Sequence, residues 1–333
     1  MTGRQWFDLE MAHLTGPDEG SRAAVRRRAD DILRPAGALQ RFDDVAVWVA
    51  GWQHSVAPSV HQPVGIVFAA DHGVAVNGVS KYPIEVTKAM LDAFATHRST
   101  ITSMARIAGA ELRVVDVGVG RPSGDLRTER AVDEHRFDEC VDAARQAVES
   151  VDADLLVFGE MGIGNTTAAA AVAHALGGGE AEEWVGRGTG VDDDALARKI
   201  EAVRSAVARS RGLDPLSTLS EIGGLELVAI AAAIVAARRR SIPVILDGYV
   251  VTAAAAVLHA IRSDALDHCI AGHCSAEPGH RRLLRLIGMS PLLDLDMRLG
   301  EASGAMAAVP LVKMACASVT EVPTFTEFFG PPE

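Results

Sequence analysis

Apolar residues gather in five short runs, at 64–70, 112–119, 154–159, 243–250 and 268–273, and most of these runs are continuous. A strand with one wet face alternates apolar and polar positions, whereas an unbroken run of Val, Ile, Leu and Ala suits a strand covered on both faces. Between the runs lie Ala-rich stretches with helical spacing, over 84–108, 135–150, 166–176, 193–210, 223–239 and 250–262. Strand and helix therefore alternate, and parallel strands joined by right-handed crossovers are the arrangement that such alternation makes. The pattern predicts an α/β fold: a doubly wound, Rossmann-like parallel sheet with helices on both faces. The first sixty residues depart from it. Residues 19–33 are charged and helical and no strand signal precedes Val64, so a small helical subdomain is expected beside the sheet. The polar segments 121–135 and 177–183 are expected to be surface loops.

Composition narrows the partners. The chain has 333 residues, 48% of them hydrophobic, which is ample for a large core. Its 44 acidic residues outnumber 32 basic ones for a net charge of −12, and such a surface repels phosphate backbones and anionic lipid. Neither a nucleic acid nor a membrane is expected as a partner. A small phosphate-bearing molecule remains compatible, because local backbone N–H groups can hold it against the overall field. Cys140, Cys269, Cys274 and Cys316 show no CxxC spacing, no signal peptide is visible, and a cytoplasmic location is expected. The longest apolar run, 227–237, falls short of the roughly 20 residues that span a bilayer.

In an open parallel sheet, ligands bind outside the carboxyl ends of the strands. Polar residues follow each expected strand: Asp71 and His72, Asp116, the stretch GEMGIGNTT at 159–167, Asp247, and His273 with Ser275 and Glu277. GEMGIGNTT reads either as an ordinary Gly-rich turn or as an anion site on the first turn of the following helix. It lacks the Gly-Lys-Ser/Thr of a P-loop, and Thr167 stands where the dinucleotide fingerprint needs its third glycine. Asp192, Asp193 and Asp194 read as helix caps. Lys199 is either solvated surface or, if its helix faces the cleft, a phosphate ligand. Glu160 and Glu301 each have two readings, as a charge partner at a helix end or as a desolvated general base. His72, His273 and Cys274 match no metal-site spacing with Asp71 or Asp247, so no metal is expected and the two aspartates read as orienting groups.

Seven motifs occur in order: DHGVxxNGVSKYPxEVT (71–87), VVDVGV (114–119), GEMGIGNTT (159–167), VGRGTG (185–190), LDGYVxTAAA (246–255), HxSAEPGH (273–280) and LGExSGA (299–305). Together they resemble the nicotinate-nucleotide–dimethylbenzimidazole phosphoribosyltransferase family from about residue 35 to about residue 316. The resemblance implies a parallel α/β catalytic domain over 60–315. It also implies a small helical domain from both chain ends, 1–59 with 316–333, and a homodimer in which each subunit helps close the other's site. The implied reaction moves ribose 5-phosphate from nicotinate mononucleotide to 5,6-dimethylbenzimidazole or a related aromatic acceptor. It gives the α-ribotide of the cobalamin lower ligand and nicotinate, with no cofactor and no metal.

The implied catalytic residues are Glu301, as base, and Glu160. Gly162, Ile163, Gly164, Asn165, Thr166, Gly186, Arg187, Gly188, Lys199 and Asp247 are implied around phosphate and ribose. Asp71, Ser80, Tyr82, Ile84, Ser275 and Glu277 are implied around the acceptor. The family pattern is altered at 34–40, at Ile84 where a glutamine is usual, at 97–100 and at 120–140. An apolar Ile84 in the acceptor wall implies a changed or broadened acceptor, such as another benzimidazole, a purine or a phenol. A nucleotide-binding paralogue without turnover is the non-enzymatic alternative. A nucleotide-dependent dehydrogenase is disfavoured by the broken fingerprint.

Overall fold

The computed structural model describes residues 1–331; Pro332 and Glu333, the end of the 316–333 segment, lie outside the described residues. In chain order the elements are α1 (Gly3–Ala12), α2 (Glu19–Asp31), α3 (Gln40–Gln53), β1 (Pro63–Ala70), α4 (Glu85–Ala95), α5 (Thr100–Ala108), β2 (Glu111–Gly118), α6 (Glu134–Glu149), β3 (Leu155–Met161) and α7 (Asn165–Gly177). They continue with α8 (Asp193–Ser210), α9 (Pro215–Ile222), α10 (Leu225–Arg239), β4 (Val244–Leu246), α11 (Tyr249–Ile261), β5 (Cys269–Ala271), β6 (His273–Cys274), α12 (Pro278–Leu286), β7 (Leu293–Asp294), α13 (Ser303–Thr320) and α14 (Phe325–Phe329).

Five strands pair in the order β2-β1-β3-β4-β5, all parallel. Alternate residues of the central strands feed two separate cores. Ile66, Phe68, Leu156, Phe158 and Leu246 face the layer of α6, α7, α10 and α11, while Val67, Leu155, Val157 and Ile245 face α3, α5 and α13. Both faces are covered, which is why β1 reads as an unbroken apolar run and every residue in it is buried. Helix α10 lies so deep that each residue from Leu225 to Arg238 is buried, and its many alanines allow the close approach to α6 and α11.

The stretch 84–108 folds as two helices. Ser99 caps the second one with a reciprocal Thr102 bond, and His97 takes a left-handed conformation at the break. The 121–135 segment is partly buried through Leu126, Ala131 and Val132, and the backbone of Ala131 and Val132 bonds to α9. The chain ends meet where Ile32 bridges Thr324, and Val25, Ala29, Ala46, Val47, Ala50 and Val319 form a small core between α2, α3 and the tail of α13. Helix α1 instead packs against α6 and α10 on the other face of the sheet, and α13 runs unbroken across 315/316. By length and composition α13 is apolar enough to cross a membrane; here it carries Lys313 and packs its apolar side on the sheet and α3.

Candidate active site

The strand order reverses direction between β1 and β3, so the loops leaving those two strands part and open a crevice at their carboxyl ends. A cavity of about 270 Å³ occupies it. Val79, Ser80, Tyr82, Val86 and Met90 make one wall, and Glu160 through Thr166 form the floor. The rest comes from Arg187–Thr189, Val191, Lys199, Gly248–Val250, His273, Ser275, Glu277 and the turn 298–301.

One side of the cavity suits an anion. Gly164, at φ +98°, turns the chain into α7, whose N-terminus carries no side-chain cap. The Asn165 and Thr167 N–H groups donate to the Gly162 and Gly164 carbonyls, so the Thr166 N–H and the helix dipole are what the first turn offers a negative ligand. Lys199 lies 1% exposed beside them, and its Nζ donates to Thr166 Oγ1 at 3.1 Å and to the Gly186 carbonyl at 2.9 Å. Two of its three donors are thus used, which leaves one for the cavity. Burial pulls the Lys199 pKa down, and the Glu277 charge works against that. Replacing Lys199 with Met removes a charged hydrogen-bond donor, at about 1.5–3 kcal/mol. A phosphate-bearing donor should then bind about 10–100-fold more weakly, readable by calorimetry.

The opposite side holds a strained carboxylate. Gly300, Glu301 and Ala302 have φ of +82°, +61° and +68°, three left-handed residues in succession, two of them not glycine. Each such non-glycine residue costs about 1–3 kcal/mol and persists only where its surroundings dictate it. Here the Glu301 N–H donates to the Glu160 carbonyl at 3.0 Å, and the Ala305 N–H donates to Asp247 Oδ1 at 2.9 Å. Gly159 in β3 makes the room, since a Cβ on it would stand 2.2 Å from the Ala302 nitrogen. The turn delivers the Glu301 carboxyl into the cavity with Oε2 buried and without a hydrogen-bond partner. Burial pushes its pKa up to about 7, and the Asp247 charge adds to the shift. Glu160 is held higher than the usual carboxylate range, first by burial and then by the charges of Asp247, Glu226 and Glu301, although the Asn165 amide donates to it. Glu301 is thus poised to accept a proton near neutrality.

The DBI_PRT family, described as phosphoribosyltransferase, matches residues 14–328. The nicotinate-nucleotide–dimethylbenzimidazole phosphoribosyltransferase of Methylocella silvestris is 47% identical over 321 residues, covering 95% of this chain and 94% of its own. The chain belongs to the nicotinate-nucleotide–dimethylbenzimidazole phosphoribosyltransferase family. The enzyme of that name from Mesorhizobium japonicum is 48% identical over 314 residues, covering 94% of this chain and 93% of its own. The crystal structure of CobT from Thermus thermophilus superposes with a TM-score of 0.89 at 39% identity, over 94% of this chain and 100% of that one.

Of the residues that the resemblance to this phosphoribosyltransferase family implied, Glu301, Glu160, Gly162, Ile163, Gly164, Asn165, Thr166, Arg187, Gly188, Lys199, Ser80, Tyr82, Ser275 and Glu277 line one cavity. Four do not. Asp247 is fully buried and spends Oδ1 on the Ala305 N–H, so it supports the turn that carries Glu301. Asp71 accepts the Gly120 N–H at 2.7 Å and ties the end of β1 to that of β2. Gly186 lies behind the wall, where its carbonyl holds Lys199. Ile84 opens α4 outside the lining, and the apolar wall comes from Val79, Val86 and Met90 instead.

Arg298, Tyr249 and Met90 line the cavity without having been singled out, since only their fold neighbours reveal their direction. His273 reaches the cavity with Nε2 3.4 Å from Asp247 Oδ1. Behind Ser275, His280 Nδ1 accepts the Ser275 N–H at 2.8 Å, so Nε2 carries the proton toward Thr252 Oγ1 at 2.9 Å. Burial holds the pKa of His280 down to about 3, which keeps it neutral. Among the described residues no three His, Cys, Asp or Glu side chains converge as metal ligands would.

Proposed function

We propose that this chain transfers ribose 5-phosphate from nicotinate mononucleotide to 5,6-dimethylbenzimidazole, releasing nicotinate and forming the α-ribotide used in the cobalamin lower ligand. The observation that carries the reading is the Glu301 carboxyl, unpartnered at Oε2 and poised near pH 7, across one cavity from an uncapped helix N-terminus and a buried lysine. The donor's phosphate sits on the α7 side with Lys199. Its pyridinium leaves with the C1′–N electron pair and becomes neutral at the ring nitrogen, so departure needs no acid. The acceptor's ring nitrogen attacks C1′ from the opposite face, which inverts the β-glycoside to α. The proton on the acceptor's other nitrogen passes to Glu301. Positioning and one base suffice for this chemistry.

A protonated Glu301 cannot act as base, so kcat/KM should fall on the acid side with its midpoint near pH 7. The Asp247 charge contributes to raising that pKa, so Asp247→Asn should move the acid limb to lower pH. A pH–rate profile of both proteins checks the direction.

In the same reading the enzyme is a cytoplasmic homodimer, with α2, α3, α14 and the tail of α13 as its helical appendage to the catalytic sheet. Light scattering should then give twice the 35.1 kDa chain mass. The deciding experiment incubates the purified protein with nicotinate mononucleotide and a panel of benzimidazoles, purines and phenols, following nicotinate and ribosylated product by mass. Acceptor-dependent release led by dimethylbenzimidazole supports the transferase. Donor binding with no nicotinate released would make it a nucleotide-binding paralogue, and a faster purine or phenol would replace the acceptor.

A further inference from the structure

Beneath the glycine loop lies a buried pair that the reaction above does not use. His72 follows β1, and Glu226, 154 residues further on, occupies the first turn of α10. Both side chains are fully buried, and Nε2 of the first lies 2.6 Å from Oε1 of the second. Neither lines the cavity.

Three glycines bring backbone down onto the pair. A Cβ on Gly224 would stand 2.3 Å from His72 Cε1, and one on Gly164 would stand 3.2 Å from His72 Cβ. A Cβ on Gly162 would lie 3.4 Å from both Glu226 Oε1 and His72 Cδ2. The floor of the cavity thus rests on the Ala70 carbonyl, 2.7 Å from a Gly162 Cβ, and on the imidazole and the carboxylate, with no other side chain between. The pair also leaves His72 Nδ1 and Glu226 Oε2 buried without partners. Half-satisfied polar groups weaken a core that apolar residues would fill better, so packing alone does not account for them. Stiffness does: a short hydrogen bond between the end of a strand and the start of a helix fixes both against the loop above. The Glu226 charge also reaches Glu160 in that loop.

We propose that His72 and Glu226 are positioning residues that set the height of the 162–164 backbone under the donor's phosphate. The proposal rests on reading that loop as the phosphate site. Its test compares two donors, nicotinate mononucleotide and the phosphate-free nicotinate riboside, in wild type, Glu226→Gln and His72→Asn, with dimethylbenzimidazole as acceptor. The expected result is a KM for nicotinate mononucleotide raised about tenfold in each variant, with kcat within about twofold. Kinetics with the riboside should be unchanged.

A role in general folding would instead lower both donors alike, and that outcome overturns the proposal, as does an unchanged KM for the nucleotide. If both variants are recovered only unfolded, the pair is a fold determinant and the proposal is likewise overturned. A wild type that treats the two donors equally would remove the phosphate reading of the loop, and with it the basis of the proposal. The wild-type comparison therefore separates the two failures.

Discussion

Glu301→Gln should lower kcat by on the order of a hundred- to ten-thousandfold, the range that a positioned general base supplies. Binding of nicotinate mononucleotide should be unchanged, because the carboxyl makes no hydrogen bond to Lys199 or to the head of α7. Rapid-quench turnover and calorimetry on the same protein separate the two. The substitution carries a second, opposite effect on stability. The folded carboxyl titrates at about 7 against an ordinary value of 4.5, so between those values the folded state holds a proton that the unfolded chain releases. That contribution is fully present below pH 4.5 and is lost as pH rises through 7. At pH 8 the Gln variant should therefore be the more stable protein, by about 1–2 kcal/mol after allowing for solvent in the cavity. At pH 4.5 the difference should vanish. Urea unfolding at the two pH values measures it, and equal stabilities at pH 8 would contradict the buried, unpartnered carboxyl.

Gly159→Ala should be the most damaging methyl group that can be added to the sheet. Its Cβ would lie 2.2 Å from the nitrogen and 2.5 Å from the Cα of Ala302, and backbone cannot swing aside as a side chain does. Either β3 or the left-handed turn must move. A loss of about 3 kcal/mol is expected, at the upper end for overpacking. Activity should fall with it, toward that of Glu301→Gln, because the displaced turn carries the base. Gly16→Ala is the control: nothing lies within 4 Å of its added Cβ, and urea unfolding should find it within about 0.5 kcal/mol of wild type.

The central strands were legible because burial on both faces writes itself as continuous apolar sequence: 64–70 misses only the first residue of β1, and 112–119 is shifted by one residue from the half-exposed edge strand β2. The fourth run was expected to extend to 250, yet β4 stops at Leu246 because Gly248 already turns the chain into α11. The break inside 84–108 was written in Ser99 and Thr102, a capping box that helical spacing alone conceals. Helices α1, α3, α9 and α12 were not singled out. In α3 residues 45–50 are apolar without a break, since one side meets α13 and the other α2, and the periodicity is blurred.

At the site, motif order brought fourteen residues to one cavity, but type alone did not say which carboxylates face ligand. Asp247 and Asp71 read in sequence as orienting groups, while the resemblance implied them around the ligands; each bonds to a backbone N–H group and stands outside the cavity lining. Glu226 passed as one more residue of an Ala-rich helix. Its partner is 154 positions away, and only the fold brings the two together.

Glu301 sits just before α13, while the glycine loop and Lys199 come more than a hundred residues earlier. During synthesis the donor-binding half is therefore made first. One face of the sheet stays only partly covered until α13, because Val67, Leu155, Val157 and Ile245 share their core with that helix as well as with α3 and α5. Until α13 emerges from the ribosome, that flank is covered by α3 and α5 alone, and its exposed apolar residues are the kind of surface on which chaperones act. Truncation just before α13 would thus keep Glu301 but strip the sheet face of one of its three covering helices, leaving α3 and α5 over an exposed apolar surface prone to aggregate.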